Sequence, residues 1–299
     1  MSSDAFDGVL GQDPAVALLR RHLATGRGAG STLLLGPDGV GRFLMAHRCA
    51  REILGRDANA AARVDTLQHA DLHVLSPSEG IKGVRELTAS LQRQPVEGER
   101  NVVILRDLES FSLPALNALL KTLEEPPGGT ALFLIAENLD RLPETIVSRC
   151  RIVGLRRMDS ARCADVLARA GVPIELAAES EGCPGRAISW HKGGLFEPAG
   201  RMHDLLLSPG SDPLGVMDKL IRKKSDEDSD AHRKRLADLL RIAGSRVRRE
   251  LPGTEPVLRS ILHALGSIRE NSNPGIVFAQ LLLETGLGFQ PAKHVFRSR

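Results

Sequence analysis

A glycine-rich turn between a leucine run and a helical stretch constrains this chain more than any other feature. Residues 36–41 read Gly-Pro-Asp-Gly-Val-Gly, after the leucines at 33–35 and before an expected helix over 42–54. Such a junction directs successive backbone N–H groups towards phosphate oxygens, and the positive end of the following helix strengthens that field. The turn therefore predicts the phosphate loop of a parallel α/β sheet.

The end of this loop carries the wrong side chains for hydrolysis. The nucleotide-binding pattern continues with lysine and then serine or threonine, whereas this chain has Arg42 and Phe43. A guanidinium is bulkier than an ammonium, and a phenyl ring cannot ligate magnesium. A strand–turn–helix joint without ligand is favoured; weak phosphate binding stays open, and ATP hydrolysis is not expected. The vestigial loop is predicted to comprise Gly36, Gly39, Gly41 and Arg42.

A second strand ends without the acid that hydrolysis needs. The apolar run 102–105 is followed by Arg106, where nucleotide hydrolases place an acid that holds magnesium. A cation at this position repels the metal. Asp107 and Glu109 remain, but acids at strand ends are also common for solubility alone. Two independent motifs altered in the same direction strengthen the prediction of lost hydrolysis.

Short apolar runs alternate with helical stretches in the first part of the chain and then stop. This alternation predicts a mostly parallel sheet with helices on both faces, followed by helices alone. Strands are expected at 32–35, 73–75, 102–105, 131–136 and 151–155. Helices are expected at 14–24, 42–54, 83–94, 113–123, 143–147, 160–170, 173–180, 185–190, 204–207, 212–223, 231–250, 255–271 and 274–284, with a linker at 192–198.

Composition excludes few functions. The chain has 299 residues, a formal net charge of +3 and only 3% aromatic residues, which disfavours modules that stack single-stranded bases. Segment 222–250 carries ten basic and six acidic side chains. These fit a solvated helical surface, with a nucleic-acid or partner face as the alternative, and 225–230 is expected to be a mobile acidic loop.

The cysteines and the hydropathy pattern predict no metal and no membrane. Four scattered cysteines, at 49, 150, 163 and 183, form no C-x-x-C pair, so neither zinc nor disulfides are expected. No apolar run approaches 18 residues and the N-terminus lacks a signal pattern. A cytoplasmic location is therefore expected.

Two further strings carry information. Residues 117–127 read Asn-Ala-Leu-Leu-Lys-Thr-Leu-Glu-Glu-Pro-Pro, a packing helix stopped by two prolines. Ser148-Arg149-Cys150 follows the short helical stretch at 143–147. A lone loop arginine is usually solvated, but its planar, permanently charged guanidinium also suits phosphoryl charge at a neighbouring ATP site.

The order and spacing of these sequence motifs resemble those of the AAA+ clamp-loader subunits of bacterial DNA polymerase III. The glycine loop, the 117–127 string and Ser148-Arg149-Cys150 carry the resemblance. The segments 69–73, 182–187 and 271–284 are similar to further segments of the family. Motor subunits keep the lysine and threonine of the loop, so the chain is most similar to the delta-prime type, whose nucleotide motifs are degraded.

The resemblance implies an architecture and a role. It implies an AAA+ α/β domain at 1–155, a small helical lid at 156–192 and an all-α collar at 193–299. It implies a non-hydrolysing stator in a hetero-pentamer with gamma/tau-type motor subunits and a delta subunit, which loads a sliding clamp onto primed DNA. Arg149 would be the catalytic arginine finger, acting in trans on the neighbour's ATP, and Arg186 matches the family's sensor arginine, with a structural role favoured here. The chain would belong to the DNA-directed DNA polymerase III holoenzyme without activity of its own.

One departure concerns zinc. The family usually carries a four-cysteine zinc module, but here Cys49 stands at its start and 56–66 contains no cysteine. We expect no zinc and no other cofactor, with this insertion shortened or held by packing. The alternatives are an ATPase with divergent motifs, a clamp-loader subunit that retains weak ATP binding, and a DNA-binding AAA+ module that uses the 222–250 face.

Overall fold

Five parallel strands form the sheet that the alternating pattern predicts. The computed structural model describes residues 5–24, 30–208, 212–225, 227–250, 252–270 and 272–285. The strands are β1 (Gly30–Leu35), β2 (Leu72–Leu75), β3 (Val102–Leu105), β4 (Ala131–Ala136) and β5 (Arg151–Gly154). Their order is β2-β3-β4-β1-β5, and every neighbouring pair is parallel. The α/β part of the predicted fold is confirmed.

Helices cover both faces of this sheet. They are α1 (Asp13–Ala24), α2 (Arg42–Leu54), α3 (Ala58–Asp65), α4 (Gly80–Ser90), α5 (Leu113–Glu124) and α6 (Glu144–Val147). Neighbouring strand residues point to opposite faces: Leu34 joins an apolar cluster with Leu19 and Met45, whereas Leu33 joins one with Val84 and Leu119. β3 and β4 are buried at every position, which explains their uninterrupted apolar sequences.

The helix α3 lies in segment 56–66, where the family usually carries a zinc module and where we expect no zinc in this chain; the sequence patterns do not predict this helix. Its start is capped by Asp57, whose Oδ1 accepts hydrogen bonds from the amides of Asn59 and Ala60, both at 2.8 Å. Nε2 of His47 on α2 donates to the carbonyl of Val64 at 3.0 Å. Within the described residues, no group of three or more His, Cys, Asp or Glu side chains could hold a metal ion. The segment is held by helix packing, and the absence of zinc stays a prediction.

Helices alone follow β5. They are α7 (Ser160–Arg169), α8 (Pro184–Lys192), α9 (Phe196–Leu207), α10 (Pro213–Ile221), α11 (Ser229–Arg249), α12 (Glu255–Arg269) and α13 (Pro274–Glu284). The segment predicted as a helix at 173–180 contains one 3-10 turn, Ile174–Ala177. Residue 271, predicted to end a helix, lies outside the described residues. No helix in the described ranges is long and apolar enough to cross a membrane.

The linker predicted at 192–198 is wrong, because α9 already begins at Phe196. Pro198 lies in the first turn of that helix, where proline costs no hydrogen bond. The ring of Phe196 meets Trp190 edge-on, with centroids 6.2 Å apart, and Ala199 and Met202 are fully buried against the helical core. The break between α8 and α9 is confined to residues 193–195, which begin with Gly193 and Gly194.

The acidic loop at 225–230 is also not as expected. Only 10% of the Glu227 side chain is exposed, and Oε1 of Glu227 accepts a hydrogen bond from Nε of Arg235 at 2.9 Å. Nδ1 of His232 lies 3.1 Å from Oε2 of the same carboxylate. Asp228 caps α11 by accepting a hydrogen bond from the amide of Ala231 at 2.7 Å. Residue 226 lies outside the described residues, and the remainder of this loop anchors the start of α11.

Contacts divide the chain into two compact units. One comprises residues up to 166 together with 182–185, and the other comprises 167–181 together with the residues from 186 onward. The first contains the sheet and the glycine loop, and the second contains α9 to α13. The predicted boundaries of the three domains, at 155 and 192, stay predictions.

Candidate functional site

The glycine loop lies at the carboxyl end of β1, between β4 and β5. The amide of Gly36 donates to the carbonyl of Ala136 at 3.2 Å. A Cβ atom at Gly36 would lie 2.5 Å from the carbonyl oxygen of Leu155, so only glycine fits. Gly41 has a φ of 107° immediately before α2, a conformation that glycine adopts without strain. The backbone of the loop therefore requires glycine at both of these positions.

The cation of the loop is held by the loop itself. Arg42 is only 6% exposed, and its Nη2 lies 3.3 Å from Oδ1 of Asp38. A carboxylate at this distance competes with any phosphate for the guanidinium and repels the phosphate as well. The positive charge of Arg42 is thus balanced by a carboxylate of the same loop.

Phe43 and Arg106 contact each other at the next position. Cζ of Arg106 lies 4.9 Å from the centroid of the Phe43 ring, the geometry of a cation–π interaction. In an active hydrolase, a hydroxyl and an acid at these two sequence positions bind magnesium. Here they are an apolar ring and a cation, so neither offers an oxygen ligand to a metal.

One of the two acids that remain after β3, Glu109, accepts hydrogen bonds from backbone amides. Oε1 of Glu109 accepts a hydrogen bond from the amide of Asn138 at 2.9 Å and another from the amide of Glu137. These two amides follow β4, so Glu109 ties the end of one strand to the end of its neighbour. Sequence reasoning missed this role, because a solubilising acid and a capping acid look alike in one sequence.

Arg149 lies in the turn between α6 and β5. Its Nε donates to Oε1 of Glu124 at 2.6 Å, and its Nη2 contacts the same oxygen. Its Nη1 donates to the carbonyl of Thr145 at 2.9 Å. One third of the Arg149 side chain remains exposed. The guanidinium is therefore fixed in orientation and still reachable.

Arg149 and the glycine loop lie at opposite edges of the sheet. β5 pairs with β1 so that Arg151 is opposite Thr32, whereas the loop begins at Gly36. At about 3.3 Å per residue, the start of β5 lies roughly 13 Å from the loop along the strand, and Arg149 lies before that start. The structure does not bring Arg149 to this chain's own loop.

Of the other residues singled out in the sequence, Arg186 and Cys49 are buried and Cys150 is partly buried. Arg186 is 7% exposed in the first turn of α8. Burial raises the pKa of the Cys150 thiol to about 12 and also raises the pKa of Cys49. Burial thus disfavours the thiolate, the nucleophilic form, at both cysteines.

Comparison with known proteins identifies the family. The family model described as "DNA polymerase III, delta subunit" matches residues 11–159. The chain is 35% identical over 185 residues to DNA polymerase III subunit delta' of Pseudomonas aeruginosa, covering 55% of this chain and 56% of that protein. It is 33% identical over 141 residues to the delta' subunit of Escherichia coli K12, covering 42% of each. It is 27% identical to subunit tau/gamma of Haemophilus influenzae over 57% of this chain and 27% of that protein.

Two solved structures share the fold. One is a DNA polymerase III gamma subunit-related protein of Thermotoga maritima, with a TM-score of 0.51, 18% identity and coverage of 92% of this chain and 98% of that one. The other is the RuvB Holliday junction branch migration motor of the same organism, with a TM-score of 0.50, 18% identity and coverage of 95% and 91%. The matched region spans little more than half of the Pseudomonas protein. From the match over residues 11–159 and the identity to two delta' subunits, the chain belongs to the delta-prime family of DNA polymerase III clamp-loader subunits.

Proposed function

We propose that this chain is a non-hydrolysing stator of a clamp loader, which supplies Arg149 in trans to the ATP site of a neighbouring subunit. The observation that carries the proposal is the contact between Arg106 and Phe43, at a Cζ-to-ring distance of 4.9 Å. It leaves no ligand for magnesium in the place where a hydrolase of this fold would bind it. The Arg42–Asp38 ion pair supports the same conclusion for the phosphates.

The position of Arg149 supports action in trans. It lies at the edge of the sheet opposite the glycine loop, partly exposed, and within a turn fixed by hydrogen bonds. An arginine that is held still loses less conformational entropy when it binds a phosphoryl group. We infer that the phosphoryl group belongs to another subunit.

The partners in this proposal follow from the relatives. Several relatives are gamma and tau subunits of DNA polymerase III, so we propose gamma/tau-type motors and a delta subunit as neighbours in a hetero-pentamer. In that assembly the chain would act on the sliding clamp and primed DNA in the cytoplasm, without nucleotide or zinc of its own. Arg186 would have a structural role, consistent with its burial.

The second unit offers a surface for the collar contacts of that assembly. Ile276 and Leu283 on α13 are 68% and 58% exposed, and they lie seven residues apart on one helix face. Leu262 on α12 is 53% exposed. Large apolar side chains at this spacing favour a helix-packing partner, as a collar requires.

Reconstitution tests the proposal. The chain is combined with the motor, delta and clamp proteins of its own organism, and clamp-stimulated ATPase is measured for Arg149→Ala and for Arg141→Ala, an exposed arginine in the 3-10 turn Leu139–Arg141. We expect Arg149→Ala to lower ATPase at least a hundredfold while the complex still assembles, and Arg141→Ala to match the wild type. Full activity of the Arg149→Ala complex would refute the trans role.

The DNA-binding alternative gains no support from the basic segment 222–250. Arg241 pairs with Asp238 at 2.7 Å, and Arg249 pairs with Glu179 at 2.7 Å. Further arginines pair in the same way: Arg235 with Glu227, Arg246 with Glu179 and Arg248 with Glu181. Much of this charge is used within the second unit. Titration of primed DNA into the isolated chain at several salt concentrations distinguishes a DNA-binding face from a solvated helical surface, since a phosphate-binding face gives a steep salt dependence.

A further inference from the structure

Glu124 holds Arg149 by the side of its guanidinium. Oε1 of Glu124 accepts from Nε at 2.6 Å and also contacts Nη2 of the same arginine. The two residues are 25 positions apart and belong to the two strings that distinguish this sequence. Sequence alone gave no reason to connect them.

The opposite side of the guanidinium is held as well. Nη1 of Arg149 donates to the carbonyl of Thr145 at 2.9 Å and lies 3.4 Å from Oγ of Ser148. A guanidinium has five N–H donors in one plane. These contacts engage the N–H of Nε, both N–H groups of Nη1 and one N–H group of Nη2, so the second N–H on Nη2 remains for a further acceptor. This remaining N–H lies at the outer end of the guanidinium.

The carboxylate of Glu124 is itself well placed. It is the last residue of α5, and Pro126 prevents that helix from continuing. The helix is anchored by Leu119 and Leu123, both buried in the core beneath the sheet. The carboxylate is therefore presented by a rigid helix end rather than by a mobile loop.

A contribution to folding stability does not explain the ion pair between Glu124 and Arg149. The side chains of Glu124 and Arg149 are 48% and 33% exposed, and ion pairs at such exposure contribute little to folding. What the pair does fix is the direction of a long side chain that otherwise samples many rotamers.

We propose that Glu124 is the positioning residue for Arg149, which it holds side-on so that the free end of the guanidinium meets a phosphoryl oxygen of the neighbouring subunit's nucleotide. This inference rests on the trans role of Arg149 proposed above. Glu124 remains bound throughout and does not itself touch the nucleotide.

The test uses the reconstituted complex with Glu124→Gln, which keeps the size of the side chain and removes its charge. Glu125→Gln is the matched control, because Glu125 is the adjacent exposed acid. We expect Glu124→Gln to lower kcat for clamp-stimulated ATPase by about tenfold to a hundredfold, with KM for ATP and assembly unchanged. Glu125→Gln should leave both constants at wild-type values.

A double variant separates positioning from a general structural effect. If Glu124 acts through Arg149, Glu124→Gln adds nothing to Arg149→Ala, because there is no longer a guanidinium to orient. Additive losses, or a Glu124→Gln complex as active as Glu125→Gln, would overturn the inference while Arg149→Ala still showed its own defect. If Arg149→Ala were fully active, the trans role itself would be wrong.

Discussion

The guanidinium of Arg106 lies over the ring of Phe43, with Cζ 4.9 Å from the ring centroid. The two residues come from different motifs, one opening α2 and the other following β3. Each alone is a substitution that disables a nucleotide site. Together they form a cation–π contact that the hydroxyl residue and the acid of an active hydrolase could not make. The altered site is therefore a packed structure.

Restoring the nucleotide-binding residues of the loop alone should therefore not restore ATP binding. The double variant Arg42→Lys/Phe43→Thr restores the loop pattern but leaves Arg106 beside it, where a cation repels magnesium. We expect no magnesium-dependent ATP binding by this variant in calorimetry at millimolar ATP. Arg42→Lys/Phe43→Thr/Arg106→Asp is the informative companion, since it removes the cation. Micromolar binding by the double variant would contradict this account of the site.

Gly36 should be intolerant of the smallest substitution. A Cβ atom there would lie 2.5 Å from the backbone carbonyl oxygen of Leu155, and backbone cannot move aside as a side chain can. We expect Gly36→Ala to lower the free energy of unfolding by about 1–3 kcal/mol, as overpacking does. Gly154→Ala is the control, because a Cβ there meets nothing within 4 Å. Equal stability of the two variants in urea denaturation would rule out the clash.

Several features were predictable from the sequence because they are local. The glycine loop, the helix Arg42–Leu54 and the strand Ala131–Ala136 follow from short patterns of apolar residues and turn formers, and they lie where expected. The standard spacing of the strings also identified the family. The confirmed α/β order needed no information about contacts.

The remaining features depend on residues far apart in the chain. The role of Glu109 requires the amides at 137 and 138, and the pairing of Glu124 with Arg149 spans 25 residues. The start of α9 is predicted as part of a linker because Gly193, Gly194 and Pro198 dominate the local pattern, whereas the helix packs on α11. Predictions from periodicity do not contain such tertiary contacts.

Asp71 should make folding stability depend on pH. Its carboxylate accepts hydrogen bonds from the amides of Val96 at 2.6 Å, Glu97 at 2.9 Å and Gly98. Burial alone would raise the pKa of Asp71, but these three hydrogen bonds outweigh it and lower the pKa below the usual 3.8. The ionised form is thus favoured in the folded state. Its stabilisation is fully present above pH 3.8 and is lost as the pH falls through the lowered pKa.

The variant Asp71→Asn removes this charge and should cost about 1–3 kcal/mol near neutral pH. Its stability should also change less than that of the wild type as the pH falls below 3.8. Asp140→Asn, in an exposed turn, is the control. Urea denaturation between pH 3 and 7 checks both statements. Parallel pH profiles for the wild type and Asp71→Asn would show that Asp71 is not the responsible group.

Glu179 should matter more to the stability of the second unit than its half-buried neighbour Glu181. Only 8% of its side chain is exposed; Oε1 lies 2.7 Å from Nη2 of Arg249 and 3.5 Å from Nε of Arg246. Glu179→Gln leaves two arginines facing an amide, and loss of one partner in a buried ion cluster typically costs about 3–5 kcal/mol. Because half of the Arg249 side chain is exposed, we expect the lower end of that range, about 3 kcal/mol.

The matched control for this prediction is Glu181→Gln. Glu181 pairs with Arg248 at 3.0 Å, but the two side chains are 30% and 53% exposed. Water screens such a pair, so its loss should change the free energy of unfolding by less than about 1 kcal/mol. Guanidinium denaturation would screen both pairs with its own salt, and urea denaturation at low ionic strength is therefore the measurement of choice. If the two variants lost equal stability, burial of Glu179 would not be what distinguishes these ion pairs.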